Sequence, residues 1–174
     1  MDDLTKKLSE IKDKILESAP NRDATNIEIP YGTTVIKEKE FKGYRNLKSV
    51  QIPNTVSSIG ECAFEDCKSL ESIVLPNSLL SIGKNAFAYC DSLKSIAIPN
   101  GVTSIGECAF RACTCLESIE IPSSVSSIEG NPFVECSSLT DVYYNGTEDE
   151  WNEIFINSDN DYLLNATIHY NEET

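Results

Sequence analysis

The chain has 174 residues, 40% of them hydrophobic and 24% charged, a composition that fits one globular domain and argues against disorder. Its 14 Lys and Arg stand against 28 Asp and Glu for a formal net charge of −14, and the imbalance grows along the chain: ten bases and nine acids in residues 1–50, four and six in 51–111, thirteen acids and no base in 112–174. Phosphate backbones are held by Lys and Arg, so nucleic acid and anionic membrane are excluded as expected partners, most firmly at the C-terminal end, and a basic surface on a protein partner is favoured.

At the start, MDDLTKKLSEIKDKIL alternates charge with apolar residues where a signal peptide would carry an unbroken apolar core. No later run approaches the roughly 18 apolar residues of a membrane-spanning helix, so neither membrane insertion nor an export signal is expected. Leu4, Leu8, Ile11 and Ile15 fall on one face of an amphipathic helix, with Asp2 and Asp3 at the positive end of its dipole. Residues 1–23 therefore read as a helical cap over the first coil of the repeats that begin at residue 24, the other reading being a partner-binding or oligomerising handle.

Residues 24–138 repeat with a period of 23. Pro30, Pro53, Pro76, Pro99 and Pro122 keep this interval, as do Phe41, Phe64, Phe87, Phe110 and Phe133, and Ile36, Ile59, Ile82, Ile105 and Ile128. The third copy runs LESIVLPNSLLSIGKNAFAYCDS, from Leu70 to Ser92. A short strand turns Ile73 and Leu75 inward and Ser72 and Val74 outward, and Pro76, which has no N–H for a ladder, ends it. A second extended stretch holds Leu79 and Ile82 inward, and Gly83 is expected to reverse the chain at positive φ. Ala86, Phe87, Cys90 and Leu93 follow at helical spacing, which predicts a short helical segment. Each coil is too thin to bury its own apolar side, so the five copies must stack into a solenoid. The outer copies deviate, with Thr33, Glu40 and Pro132 at inward positions, as terminal coils do.

Cys67, Cys90, Cys113 and Cys136 keep the same period and read as small apolar core residues, whereas Cys62, Cys108 and Cys115 occupy positions where other copies carry Asn or Ser and are expected to be more exposed. Seven cysteines without a compact framework favour free thiols. Cys108, Cys113 and Cys115 lack the convergent pairs of a zinc site. Asp159, Asn160 and Asp161 lack the glycine and distal Glu of a calcium loop and read as a solvated turn. The single histidine, His169, is tied to no nucleophile, and no phosphate-cradling or dinucleotide motif is present. The chain is expected to be non-catalytic and to need no cofactor or metal, a carboxylate pair assembled by folding being the remaining route to catalysis.

In residues 139–174, Thr147 and Glu150 have capping-box spacing, which starts a helix that lays Trp151, Ile154 and Phe155 against the last coil. A strand from Ile168 to Tyr170 then covers the remaining edge.

The pattern I-P-x-x-V-x-S-I-G-x-x-A-F-x-x-C-x-x-L-x-x-I closely resembles the BspA-like class of leucine-rich repeats, and the tail LTDVYYNGTEDEWNEIFINSDNDYLLNATIHYN resembles the closing segment found after such repeats. The resemblance implies a right-handed solenoid with short strands, an N-terminal helical cap and a C-terminal cap of helix and strand. It also implies a surface-exposed or secreted solenoid that binds other proteins, often in adhesion, without catalytic residues. If Met1 is the native start, the expected location is cytoplasmic.

Three functions fit the sequence: an adhesin-like surface module, a stand-alone intracellular or phage-borne interaction protein, and a structural spacer. For the first two, the outward ladders of the strand face are the candidate contacts. Ser49, Ser72, Ser95 and Ser118 form a ladder of small residues, and Lys48, Glu71, Lys94 and Glu117 alternate in sign as expected for pairing between coils. The ladder Gln51, Val74, Ala97, Glu120 and Tyr143, with Asp141 beside it, mixes acidic, apolar and aromatic residues and is the predicted binding surface.

Overall fold

The computed structural model describes residues 21–128, 130–157 and 160–171. Leu4, Leu8, Ile11 and Ile15 of the expected N-terminal helix, and Asp159, lie outside the described residues.

Alternating side chains and a proline stop every 23 residues give short strands that return to the same two walls. They are β1 (Asn26–Glu28), β2 (Val35–Ile36), β3 (Ser49–Gln51), β4 (Ser58–Ile59), β5 (Ser81–Ile82) and β6 (Ser95–Ala97). After these come β7 (Ser118–Pro122), β8 (Ser127–Ile128), β9 (Asp141–Asn145), β10 (Phe155–Ile156) and β11 (Thr167–Tyr170), with the short helices α1 (Glu148–Asn152) and α2 (Asp161–Leu164) between the last three. Every pairing is parallel, as stacking of successive coils requires.

One wall holds β1 beside β3 and then β6, β7, β9 and β11 in order; the other holds β2, β4 and β5, continues through bridges from Ile82 to Ile105 and from Ser104 to Ser127, and ends with β8 beside β10. The first wall is interrupted at residues 72–74, where no strand forms. Amides flanking the gap reach far, Glu71 N–H to Lys48 O at 3.3 Å and Lys94 N–H to Glu71 O at 3.5 Å, while Ile73 and Leu75 stay buried. In all, the solenoid makes about six turns.

The space between the walls is filled as the period predicts. Leu70, Ile73, Leu75, Leu79, Ile82, Ala86, Phe87 and Cys90 of the third coil are all buried, and so are their equivalents in the fourth. Phe41, Phe64, Phe87, Phe110 and Phe133 form one column of stacked rings with centroids 5.2, 5.3, 5.5 and 5.6 Å apart. Offset stacking of this kind adds about 0.5–1.5 kcal/mol per pair beyond area burial.

The third side of each coil is not the helical segment that the spacing of Ala86, Phe87, Cys90 and Leu93 suggests. Amides there alternate between two destinations. Ala86, Ala88 and Cys90 donate three residues back within the coil, to Gly83, Asn85 and Phe87, while Asn85, Phe87 and Tyr89 donate to Glu107, Ala109 and Arg111 of the next coil. Sending every second amide outward requires left-handed residues, found in two columns: Lys39, Cys62, Asn85, Cys108 and Asn131, then Gly43, Asp66, Tyr89, Ala112 and Glu135. Each non-glycine in this conformation costs roughly 1–2 kcal/mol, which the hydrogen bonds between coils offset.

Gly83 is not at positive φ either. A Cβ there would lie 2.7 Å from the backbone N of Glu61 and the carbonyl carbon of Gly60, and Gly60 and Gly106 are equally crowded by the coil before them. The glycine is required by close approach of neighbouring coils and not by a turn conformation.

The periodic cysteines have a second use besides filling space. Thiols of Cys67, Cys90, Cys113 and Cys136 donate to the carbonyl oxygens of Phe41, Phe64, Phe87 and Phe110 at 3.0–3.3 Å, joining each coil to its predecessor. All seven cysteines are free thiols. Cys62, expected to be more exposed, is buried, and burial followed by its hydrogen bond to Glu65 pushes its thiol up to about 11. Cys108 is half-buried and Cys115 exposed.

Beyond Leu139 the coil persists with a longer step. Val142 and Tyr144 are buried where Ile119 and Ile121 were one coil earlier. Thr147 and Glu150 form the expected capping box, the Thr147 hydroxyl accepting from Glu150 N–H at 3.2 Å and the Glu150 carboxylate accepting from Thr147 N–H at 2.9 Å. Trp151 is buried edge-on to Tyr144, with ring centroids 5.1 Å apart. Phe155 departs from expectation and is 63% exposed, because β10 pairs it with Ser127, an outward position, and leaves inward packing to Ile154 and Ile156. Ile168 and Tyr170 of β11 pair with Val142 and Tyr144, as the expected closing strand. Among the described residues no helix is long and apolar enough to cross a membrane.

Candidate functional site

A strand whose alternate residues are buried presents the others on one outward face, and stacking in register turns these into columns that run the length of the wall. Register places Glu28 beside Gln51, Ala97 beside Glu120, and Glu120 beside Tyr143. Val74, in the interrupted third coil, is 80% exposed. With coils about 4.8 Å apart, Gln51 stands roughly 14 Å from Glu120. Ala97 thus adjoins Glu120, whereas Gln51 extends the same face farther away.

Glu120, Asp141 and Tyr143 do come together. The Glu120 carboxylate accepts from the Asn145 amide at 2.6 Å. Asp141 meets the Nε2 atom of His169 at 2.7 Å and accepts from the Thr140 hydroxyl at 2.7 Å. The hydrogen bond from His169, followed by that from Thr140, holds the Asp141 carboxyl below the ordinary aspartate range. His169 also stacks on Tyr143, with centroids 4.6 Å apart and the rings 14° from parallel, leaving Tyr143 47% exposed. The result is an ordered patch of two carboxylates around an oriented aromatic ring.

His169 and Asn145 are the members that sequence reasoning missed. A 23-residue step from Tyr143 arrives at Ala166, but α1 and α2 lengthen the sixth coil and the register delivers His169. Their signal was local: alternate residues of one strand share a face, so Asp141, Tyr143 and Asn145 belong together once Tyr143 is placed outward.

Charge pairing between coils has a direction. Lys42 pairs with Glu65 at 2.8 Å, Arg45 with Asp66 at 2.7 Å, Lys84 with Glu107 at 2.8 Å and Lys68 with Asp91 at 3.2 Å, and in each the base lies on the earlier coil. Arg111 to Glu135, at 3.5 Å, is the last of the series. Of the sign-alternating ladder, Lys48 and Glu71 approach to 3.9 Å. Exposed pairs of this type contribute about 0–1 kcal/mol each. Their larger effect is on the field: beyond Arg111 no Lys or Arg remains to match the acids.

The zinc candidates diverge, Cys113 pointing into the core and Cys115 being exposed, and among the described residues no cluster of His, Cys, Asp or Glu could hold a metal ion. Asn160, expected in a solvated turn, is instead buried where it precedes α2, its side chain donating to Asn157 O at 3.0 Å.

A model of the BspA type leucine-rich repeat region matches residues 9–140 in six copies. Among solved structures, a leucine-rich cell surface protein from Faecalibacterium prausnitzii is 38% identical with a TM-score of 0.75, over 78% of this chain and 36% of that one. A leucine-rich repeat protein of T. pallidum is 31% identical with a TM-score of 0.66, over 70% of this chain and 59% of that one. The pneumococcal vaccine antigen PcpA, 23% identical with a TM-score of 0.69 over 87% of this chain and 42% of that one, shares the fold. The chain thus spans between about a third and three fifths of the length of these relatives. No curated protein sequence matches it.

Proposed function

The chain belongs to the BspA-type leucine-rich repeat family, and from that premise we infer that it is a non-catalytic, adhesin-like binding module of the cell-surface type, which engages a protein partner through the strand face. The observation that carries this reading is the patch of Glu120, Asp141 and Tyr143, its side chains pre-oriented by Asn145 and His169. Pre-orientation lowers the ordering cost of binding, and an exposed aromatic ring among carboxylates suits a partner that offers lysine or arginine beside an apolar contact. The unmatched acids after Arg111 steer such a surface toward this end. The cell-surface assignment is drawn from the F. prausnitzii relative.

Association kinetics with lysozyme, a strongly basic probe protein, test the reading. Glu120→Lys with Asp141→Lys should slow association about tenfold at low salt, and the difference should shrink as salt is added. An unchanged rate would assign the acidic end to solubility and move the search to the N-terminal segment.

A further inference from the structure

We propose that the outer edge of β11 is a docking site for an extended, lysine- or arginine-rich segment of a protein partner, which adds to the wall as one further strand. β11 is the last strand in its sheet, bonded to β9 on one side, and among the described residues nothing pairs with its other side. The Thr167 N–H donates to Thr140 O at 2.8 Å. Because alternate residues of a parallel ladder bond to the same neighbour, the N–H and C=O groups of Ile168 and Tyr170 face the open side.

Edges of this kind are usually blunted by lysine, proline, a bulge or a covering loop. The β11 sequence, Thr-Ile-His-Tyr, carries neither lysine nor proline and consists of residues that favour strands. Among the described residues it is a template for pairing that nothing covers.

Charge selects the occupant. Asp141 lies against His169, and the negative charge of Glu148 adds to the burial that pushes the Tyr170 phenol up. No Lys or Arg follows Arg111 in the sequence. A second copy offering the same edge would bring two strongly negative ends together, whereas a cationic segment is attracted. Side-chain parity then sets the pattern: partner residues beside Thr167 and His169 project over the outward acidic patch, and those beside the half-buried Ile168 and Tyr170 meet the apolar wall. Alternating cationic and apolar residues fit both. This mode uses main-chain bonds and is independent of whether the strand face binds lysozyme.

The test uses the full chain and two synthetic peptides of about ten residues, the length of a long strand, one alternating lysine with valine and the other of the same sequence with every backbone nitrogen methylated. Both carry the same charge and side chains, but methylation removes every amide that strand pairing needs, whichever way the added strand runs. Amide exchange should slow about tenfold or more at Ile168 and Tyr170 with the unmodified peptide, and stay unchanged with the methylated one. Equal binding of the two peptides without protection of these amides would reduce the interaction to charge attraction and overturn the proposal. So would protection that rises with protein concentration in the absence of peptide, which would make a second copy the occupant.

Discussion

Replacing Phe87 by alanine removes the middle ring of the column. The ring is fully buried and lies between Phe64 and Phe110 at 5.3 and 5.5 Å, parallel to both within 5°. Truncating a buried phenylalanine costs about 3–5 kcal/mol, depending on how far the surroundings collapse into the space. Collapse is restricted here, because Phe64 N–H donates to Ala86 O and Phe87 N–H to Ala109 O, both at 2.8 Å, and these bonds fix the spacing of the coils. The two flanking rings cannot approach each other without breaking that ladder, so the loss should fall in the upper part of the range, about 4–5 kcal/mol. Urea unfolding followed by circular dichroism measures it. Phe41→Ala, at the end of the column where a ring stacks on one side only, should cost less. A loss below about 1 kcal/mol for Phe87→Ala would refute the reasoning, since it would mean that the ring is not held between rigid neighbours.

Gly83→Ala should destabilise the chain by about 1–3 kcal/mol, because its Cβ meets the backbone of the preceding coil; a loss of only a few tenths, in the same unfolding assay, would contradict the close approach. With a thiol reagent at pH 8, Cys115 should react first, while Cys62, pushed up to about 11, and Cys67 and Cys136, each pushed up to about 12, should react slowly; mass spectrometry of the labelled peptides decides the order, and early labelling of Cys62 would contradict its burial. The Asp141 carboxyl is held below its ordinary value of 3.8, so its bond to His169 stabilises the native state fully above that pH and the contribution is lost as pH falls through the lowered value; a carboxyl-carbon NMR titration with its midpoint at or above 3.8 would contradict the contact.

Much of this architecture could be read from the period alone. Burial of Ile73, Leu75, Leu79, Ile82, Phe87 and Cys90 follows from apolar residues that recur at one interval and can be covered only by their own copies. What escaped depends on the neighbouring coil. The spacing of Ala86, Phe87, Cys90 and Leu93 is shared by a helix and by a chain of turns, and the left-handed Asn85 and Tyr89 that distinguish them are not residues whose identity demands it. Gly83 reads as a turn glycine because the atoms that exclude a side chain belong to residues about one period away. Cys62 shares its column with Lys39 and Asn85 and so reads as exposed, yet its small side chain stays buried beside Glu65. His169 was hidden by the change of step in the sixth coil, although its strand was expected.

The claim that partners are engaged on the strand face is tested most directly by mapping where a bound partner touches. Cross-saturation NMR of the chain in complex with lysozyme should perturb Val74, Ala97, Glu120 and Tyr143 together, in a band along one wall. Perturbation centred instead on Tyr89, Asp91 and Arg111, on the turn side of the coils, would contradict the account.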